Sequence, residues 1–255
     1  MRIKKKNSDL IKIIIALIIL VLVAGYFILS KSAERIHREE AKRAEEAAAE
    51  EAAQQQAEEE AKEQERLAKI AEEKNKWYLI LVNNQNAMPD DFDIETAEVE
   101  DGYYIDSRVL EALQEMLADC RDAGYSPRLI STFRTRETQQ YLYDHTANKA
   151  DTAVPGHSEH ECGLAADIVD ADSLGWGDPL IDAQEDMPAQ KWLMEHCQDY
   201  GFILRYPKDK EDITEIIYEP WHYRYVGKEH AETIMSNGLC LEEYIENFED
   251  YYQAQ

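Results

Sequence analysis

Two stretches of the sequence decide the fold and its site: PGHSEHECGLAAD, residues 155–167, and EPWH, residues 219–222. They contain His160, Asp167 and His222. Two imidazoles and a carboxylate are ligands that a catalytic zinc takes, with a fourth position left open for water. Gly163 allows a tight turn between His160 and the apolar run after it, which would return Asp167 to the same place. The pattern predicts a zinc site with these three ligands.

Glu219 lies three residues before His222, close enough to share this site without binding the metal. A carboxylate there can take a proton from an attacking water and pass it to a leaving amine. Simpler readings stay open, because His157 and His160 alone are a weak pair and Asp167 could cap a strand. The helical HExxH motif is absent from the sequence, which excludes that class of zinc protease.

The negative charge is concentrated in one part of the chain. Residues 1–76 hold 15 basic and 15 acidic side chains, whereas residues 77–255 hold 12 and 38 and so carry the whole net charge of −26. That field repels phosphate backbones and excludes a role in binding nucleic acid. Disorder is excluded for the same residues, because they contain four Trp, fourteen of the fifteen Tyr and four of the five Phe.

The N-terminal block predicts a membrane anchor. Residues 13–29 form an uncharged apolar run, which Leu10 and Ile11 extend, and about 20 such residues span a bilayer core. Five basic residues precede the apolar run of residues 13–29: Arg2, Lys4, Lys5, Lys6 and Lys12. We therefore expect residues 1–9 in the cytoplasm, residues 10–29 across the cell membrane and the rest outside. A cleavable secretory signal is the alternative, although no A-x-A cleavage site follows.

Residues 30–76 predict a charged helical stalk. From Ser32 this block is rich in Ala, Glu, Gln, Lys and Arg and has no Gly or Pro, a composition that favours a solvated single helix. Ile36, Leu67 and Ile70 are its few large apolar residues and form no sustained heptad seam. A weak coiled-coil dimer through the stalk is the alternative.

Residues 77–255 predict one globular domain of the α+β class, a small, mainly antiparallel sheet with flanking helices. Helices are expected where apolar residues recur with helical period, and strands where short apolar runs meet turn residues. The expected helices are residues 107–124, 135–150 and 188–201, with a last one near Leu241. The expected strands are residues 77–89, 126–133, 163–170, 201–207 and 215–226.

Two multi-residue motifs give the domain a family resemblance. S-x-H-x-x-G-x-A-x-D, from Ser158 to Asp167, together with E-x-W-H, from Glu219 to His222, resembles the VanY-type D-alanyl-D-alanine carboxypeptidases, zinc metallopeptidases of bacterial cell walls. Flanking segments from about Leu81 to LEEYI follow the family's order. The resemblance implies that His160, Asp167 and His222 bind one Zn²⁺, and that Glu219 is the general base.

The resemblance implies further roles residue by residue. Arg134 matches an arginine that polarises the scissile carbonyl, a role suited to a fixed cation. Four more residues match positions that shape the pocket for the terminal D-alanine: Gln139, Ser158, Tyr206 and Trp221. Two positions depart from the family: Cys162, which could meet the zinc or pack inward, and Phe133, where relatives often carry Tyr.

We therefore expect an extracytoplasmic zinc carboxypeptidase that removes the terminal D-alanine from peptidoglycan stem peptides. Within the enzyme class, an L,D-carboxypeptidase acting on tetrapeptide stems and a D,D-dipeptidase stay open, because both use the same metal ligands. A non-catalytic zinc module that binds the wall is the alternative from another class. Four Cys allow three full disulfide pairings, between which the sequence does not choose.

Overall fold

A computed structural model describes residues 2–146, 152–175 and 177–252 of the chain. They form two compact units, residues 1–68 and 69–255. The second unit thus begins within the helix that precedes Trp77. The predicted boundaries at residues 9, 29 and 76 stay predictions, but the last turns of that helix pack with the globular part.

The first unit consists of helix α1, which runs over Arg2–Lys74 and so continues into the second unit. Among the described residues, helix α1 is long enough and apolar enough to cross a membrane, as expected for an anchor. Beyond the apolar run, ion pairs one turn apart line the exposed surface, such as Arg35 with Glu39 at 3.3 Å and Lys62 with Glu58 at 2.7 Å. Exposed pairs of this kind add little stability each. Ile36 and Leu67 are exposed, and no coiled-coil seam is seen among the described residues.

The second unit contains helices and two small sheets. Its helices are α2 (Leu110–Asp122), α3 (Arg136–His145), α4 (Pro188–His196), α5 (Glu211–Thr214), α6 (Lys228–Ser236), α7 (Leu241–Glu246) and α8 (Phe248–Tyr252). Its strands are β1 (Thr96–Glu100), β2 (Tyr103–Asp106), β3 (Pro127–Ser131), β4 (Ala165–Asp170), β5 (Phe202–Leu204) and β6 (His222–Tyr225).

The main sheet is antiparallel and has the order β3-β4-β6-β5. Strand β4 is buried along its whole length, because it lies in the interior of the sheet and both of its faces are covered. Its register with β6 places Asp167 directly opposite His222. The sheet therefore joins two residues that are 55 positions apart in the sequence.

The core forms on both sides of this sheet. Helix α2 buries Leu113, Met116, Leu117 and Cys120, the helical spacing expected from the sequence. These residues belong to a cluster that includes Ile168 of β4. A second cluster brings together Ile70 from the end of α1, Ile203 of β5 and residues of α6 to α8.

Two predicted strands are wrong in part. Residues 77–89 form a short 3-10 helix (Trp77–Leu79) and a single bridge between Asn83 and Asn86. The carbonyls of Tyr78 and Ile80 accept hydrogen bonds from the Arg224 side chain instead of from a neighbouring strand. In the predicted strand 215–226, only the end, His222–Tyr225, forms a strand. The preceding residues 211–214 are helical, and Glu215 has a left-handed φ of 57°. Pro220 has no N–H to donate to a neighbouring strand.

Some elements were missed or shortened. The β1–β2 hairpin turns at Asp101 and Gly102, both with positive φ, which is the Asp-Gly signal of a tight hairpin. Helix α6 was also missed. Helix α3 ends at His145, and residues 147–150 of the predicted helix lie outside the described residues.

Candidate zinc and substrate site

Three buried side chains form a cluster of metal-ligand atoms. Asp167 Oδ2 lies 3.2 Å from His160 Nε2, and Asp167 Oδ1 lies 3.2 Å from His222 Nδ1. One ligand atom from each residue falls within 4.8 Å of the others. The predicted set is thus brought together.

A sharp turn before β4 brings His160 to Asp167. The Gly163 N–H donates to the carbonyl of His160 at 3.2 Å, and the Gly163 carbonyl accepts from the Asp106 N–H at 3.0 Å. Gly163 has φ of 65°, and a Cβ there would lie 3.0 Å from the Asp106 nitrogen. Because both the conformation and the space favour glycine, the turn expected at this position is confirmed.

The outer nitrogen of each histidine faces a hydrogen-bond acceptor. His160 Nδ1 lies 2.7 Å from the carbonyl oxygen of Thr132. His222 Nε2 lies 3.3 Å from Glu159 Oε2. Partners of this kind fix the ring orientation of metal-binding histidines, with the proton on the outer nitrogen and the inner nitrogen left for the metal.

The cluster fits a zinc ion. Among the described residues, Asp167 Oδ1 is a buried oxygen with no hydrogen-bond donor of suitable geometry. His222 Nδ1 lies 3.2 Å from this oxygen but is not aligned to donate, and a buried carboxylate oxygen without an aligned donor is costly unless a cation meets it. Two imidazoles and one carboxylate match the donors of a catalytic zinc site and leave room for further ligands.

The charges in the cluster perturb its pKa values. Burial alone would raise the pKa of Asp167, but His160 and His222 hold it well below its usual range. Burial lowers the pKa of His160. Burial would also lower the pKa of His222, but the hydrogen bonds and negative charges of Asp167 and Glu159 outweigh burial and raise this pKa to about 9.

Glu219 lies beside the cluster. Its Oε2 is 3.4 Å from His222 Nδ1, and its side chain is 13% exposed. Burial raises its pKa to about 8, with the negative charges of Asp167 and Glu159 adding to that effect. A carboxyl group with a raised pKa next to a metal cluster is suited to exchanging protons near neutral pH.

Arg134 approaches the same space from the loop after β3. Its Nη1 donates to Gln139 Oε1 and its Nη2 to Ser131 Oγ, both at 2.8 Å. Gln139 is fixed in turn, because its Nε2 donates to the carbonyl of Ala153 at 2.7 Å. The guanidinium is thus fixed by two neutral acceptors. Burial lowers the pKa of Arg134, and the negative charges of Asp167 and Glu219 oppose that effect.

A cavity of about 490 Å³ opens above the cluster. The nine residues that are predicted for the site all line it: Arg134, Gln139, Ser158, His160, Asp167, Tyr206, Glu219, Trp221 and His222. The Tyr206 ring lies 4.8 Å from the His222 ring, and Trp221 is 6% exposed. Cys162 does not line the cavity, and its Sγ donates to the Glu159 carbonyl at 3.0 Å, so the inward alternative holds.

The match to known proteins follows this geometry. A family model described as VanY, D-alanyl-D-alanine carboxypeptidase, matches residues 102–228. A D-alanyl-D-alanine carboxypeptidase of Enterococcus faecalis is 40% identical over 195 residues, which are 70% of this chain and 69% of the relative. The chain belongs to the VanY family of D-alanyl-D-alanine carboxypeptidases.

Two solved structures of VanY-like enzymes are also similar. A mutant of the vancomycin-resistance D,D-pentapeptidase VanY in complex with Zn(II) has a TM-score of 0.59 and 40% identity, covering 67% of this chain and 99% of the other. The L,D-carboxypeptidase LdcB has a TM-score of 0.57 and 37% identity, covering 65% and 84%. The predicted family, fold class, enzyme class and zinc cofactor are confirmed.

Sequence reasoning missed the buried residues behind the cluster. Glu159 is 2% exposed, and Arg205 and Arg224 are fully buried around it. One signal was available, since Arg224 follows His222 by two positions and so lies on the same face of a strand. The pairing of Arg205 with Glu159 across 46 positions had no local signal.

Proposed function

We propose that the chain removes the terminal D-alanine from peptidoglycan stem peptides, with His160, Asp167 and His222 as zinc ligands. One observation carries this proposal: three metal donors, a carboxyl group of raised pKa and a held guanidinium line one cavity. These are the parts that metal-assisted peptide hydrolysis needs. When bound, zinc supplies a Lewis acid that polarises the scissile carbonyl and makes water more acidic.

Glu219 serves as the general base and then the general acid. It takes the proton of the water that attacks the scissile carbonyl, and it delivers that proton to the amine of the leaving D-alanine. Its position 3.4 Å from a proposed ligand supports this role, and a cation bound beside it would favour the ionised carboxylate that a general base requires. Glu159 and Glu161 are poorer candidates, because each is held by arginine: Glu159 by Arg205 at 2.7 Å and Glu161 by Arg136 at 3.1 Å.

Arg134 stabilises the oxyanion. Its hydrogen bonds to Gln139 and Ser131 fix the guanidinium in advance, so little reorganisation is needed as the carbonyl oxygen gains charge. The remaining lining residues Ser158, Tyr206 and Trp221, with Gln139, shape the space for the terminal D-alanine and its carboxylate.

An L,D-carboxypeptidase is the second candidate. It has specific support, because LdcB is nearly as similar to this chain as the D,D-pentapeptidase is. The two activities differ in the configuration of the residue before the scissile bond. The donors that carry the chemistry do not distinguish them.

The decisive experiment measures D-alanine release by the purified, zinc-loaded chain. Three substrates are compared: a stem pentapeptide ending in D-Ala-D-Ala, the tetrapeptide ending in one D-Ala, and free D-Ala-D-Ala. We expect the highest kcat/KM on the pentapeptide, loss of activity with chelator, and recovery with zinc. Preference for the tetrapeptide or the dipeptide would support the L,D-carboxypeptidase or the dipeptidase instead. No release from any of the three would refute the proposal.

The apolar part of α1 anchors the domain outside the cytoplasm. The basic residues before the apolar run support this orientation, and the charged single helix after it supports a stalk. Protease added to intact protoplasts should digest the domain and leave an N-terminal tag protected. Survival of the domain while the membrane is intact would contradict the orientation.

A further inference from the structure

Glu159 lies behind the metal cluster in a fully enclosed position. Its Oε2 faces His222 Nε2 at 3.3 Å, on the side of the ring away from Asp167. Its Oε1 accepts two hydrogen bonds, from Arg205 Nε at 2.7 Å and from Arg224 Nη1 at 2.6 Å. One carboxylate oxygen thus holds the group in place, and the other is free to serve the histidine.

Both arginines are themselves fixed. Arg205 donates from Nη1 and Nη2 to the two carboxylate oxygens of Glu242, at 2.8 and 2.6 Å. Arg224 donates from Nη2 to the carbonyls of Tyr78 and Ile80, at 3.1 and 2.7 Å. Two carboxylates and two guanidiniums balance in charge, which is what a buried ionic group requires.

The arginines keep Glu159 ionised. Arg205 Nε and Arg224 Nη1 lie 2.7 and 2.6 Å from Glu159 Oε1, and a carboxyl group that accepts from two guanidiniums is an ionised carboxylate. An ionised carboxylate only accepts hydrogen bonds. A neutral His222 ring must therefore carry its proton on Nε2 to satisfy this contact, and its Nδ1 lone pair then points to the side of Asp167.

We propose that Glu159, held by Arg205 and Arg224, is a positioning residue that keeps the His222 proton on Nε2 and presents Nδ1 to the metal. This rests on the proposed zinc ligation by His222. The buried ion pairs of Glu159 with Arg205 and Arg224 thus set the tautomer and the orientation of one metal ligand without contacting the substrate. Outer partners of this kind are worth about 10- to 100-fold in metal affinity.

Two variants of Glu159 test the proposal in the full chain, in detergent. Glu159→Gln removes the charge at nearly constant size. Glu159→Asp keeps the charge for the arginines but withdraws the oxygens by about one bond length, roughly 1.5 Å. We expect each to weaken Zn²⁺ binding by about 10- to 100-fold, measured on the folded protein by competition with a chromophoric chelator.

Two matched controls separate positioning from general damage. Glu242→Gln removes the other carboxylate bound to Arg205, but it does not contact His222. Glu161→Gln changes a buried carboxylate two residues away, whose partners are the Gly156 N–H and Arg136. Both should keep zinc affinity within about threefold of the unchanged chain, although Glu242→Gln should lower stability. Equal loss of affinity in Glu242→Gln and Glu159→Gln would overturn the proposal.

A second measurement does not depend on any variant folding. In the zinc-loaded, unchanged chain, long-range ¹⁵N–¹H NMR of the His222 ring should show the metal on Nδ1 and a slowly exchanging proton on Nε2. Zinc on Nε2 would overturn the positioning role even if D-alanine release is normal. Zinc on Nδ1 with no D-alanine release would instead refute the proposed function and leave the positioning role standing.

Discussion

Replacing Glu219 with Gln should slow catalysis and stabilise the zinc-free protein at the same time. The substitution keeps the size of the side chain but removes the group that we assign to proton transfer. General acid–base help is worth about 10²- to 10⁴-fold, so kcat should fall by at least about 100-fold, or roughly 2.7 kcal/mol of barrier. Zinc should remain bound, because Glu219 is not needed to complete the set of three protein ligands.

The gain in stability follows from the raised pKa. The native carboxyl of Glu219 has a pKa of about 8, against a reference value of 4.5. Between these values the unfolded chain gives up the proton and the native chain keeps it, so native stability falls as the pH rises from 4.5 to 8. Each pH unit in that interval costs about 1.4 kcal/mol, which amounts to about 3 kcal/mol at pH 7. Glu219→Gln removes this cost.

The assay follows denaturant unfolding of the zinc-free protein by tryptophan fluorescence at pH 4.5 and pH 7, since all four Trp lie in residues 77–255. Glu219→Gln should be more stable than the unchanged chain by about 3 kcal/mol at pH 7 and by little at pH 4.5. Glu161→Gln is the control that should show no such gain. An equal effect at both pH values would refute the reasoning from burial, and unchanged kcat would place the general base elsewhere.

Three further outcomes are expected. Replacing any proposed metal ligand with alanine, for example His160→Ala, should prevent the protein from binding one zinc ion per chain, as measured by elemental analysis. Full zinc occupancy in such a variant would remove that residue from the set of ligands. Ile70→Ala should cost about 2–5 kcal/mol in denaturant unfolding, because Ile70 is 4% exposed in the second core cluster, whereas Leu67→Ala, at an exposed site one turn earlier, should cost little. Burial lowers the pKa of His230, although Glu73 opposes that effect. As the pH falls, His230 therefore takes up a proton in the unfolded chain before it does so in the native chain. The free energy of unfolding should thus fall as the pH drops below about 6.5. His230→Gln should reduce that pH-dependent loss, to which the buried His160 also contributes, and an unchanged pH profile would contradict the assignment to His230.

Local sequence carried the chemistry of the site because the informative residues come in two short runs. His160, Gly163 and Asp167 belong to one turn and strand, and Glu219 and His222 to another. Spacing therefore indicates a metal site, and the resemblance of the two motifs to the VanY family assigns the donors and the base. Helix α2 was equally readable, since its apolar residues recur with helical period and Gly124 follows its end. Where periodicity and turn chemistry agree, the backbone has few alternatives.

Tertiary structure decided what no short run contains. The register of β4 with β6 sets Asp167 against His222. Where a strand was expected, the carbonyls of Tyr78 and Ile80 instead accept hydrogen bonds from the distant Arg224 side chain. The network around Glu159 depends on partners 46 and 65 positions away. The physical reason is that a buried charge is stable only where distant parts of the chain supply the opposite charge and the hydrogen bonds, and that complementarity exists only once the chain is folded.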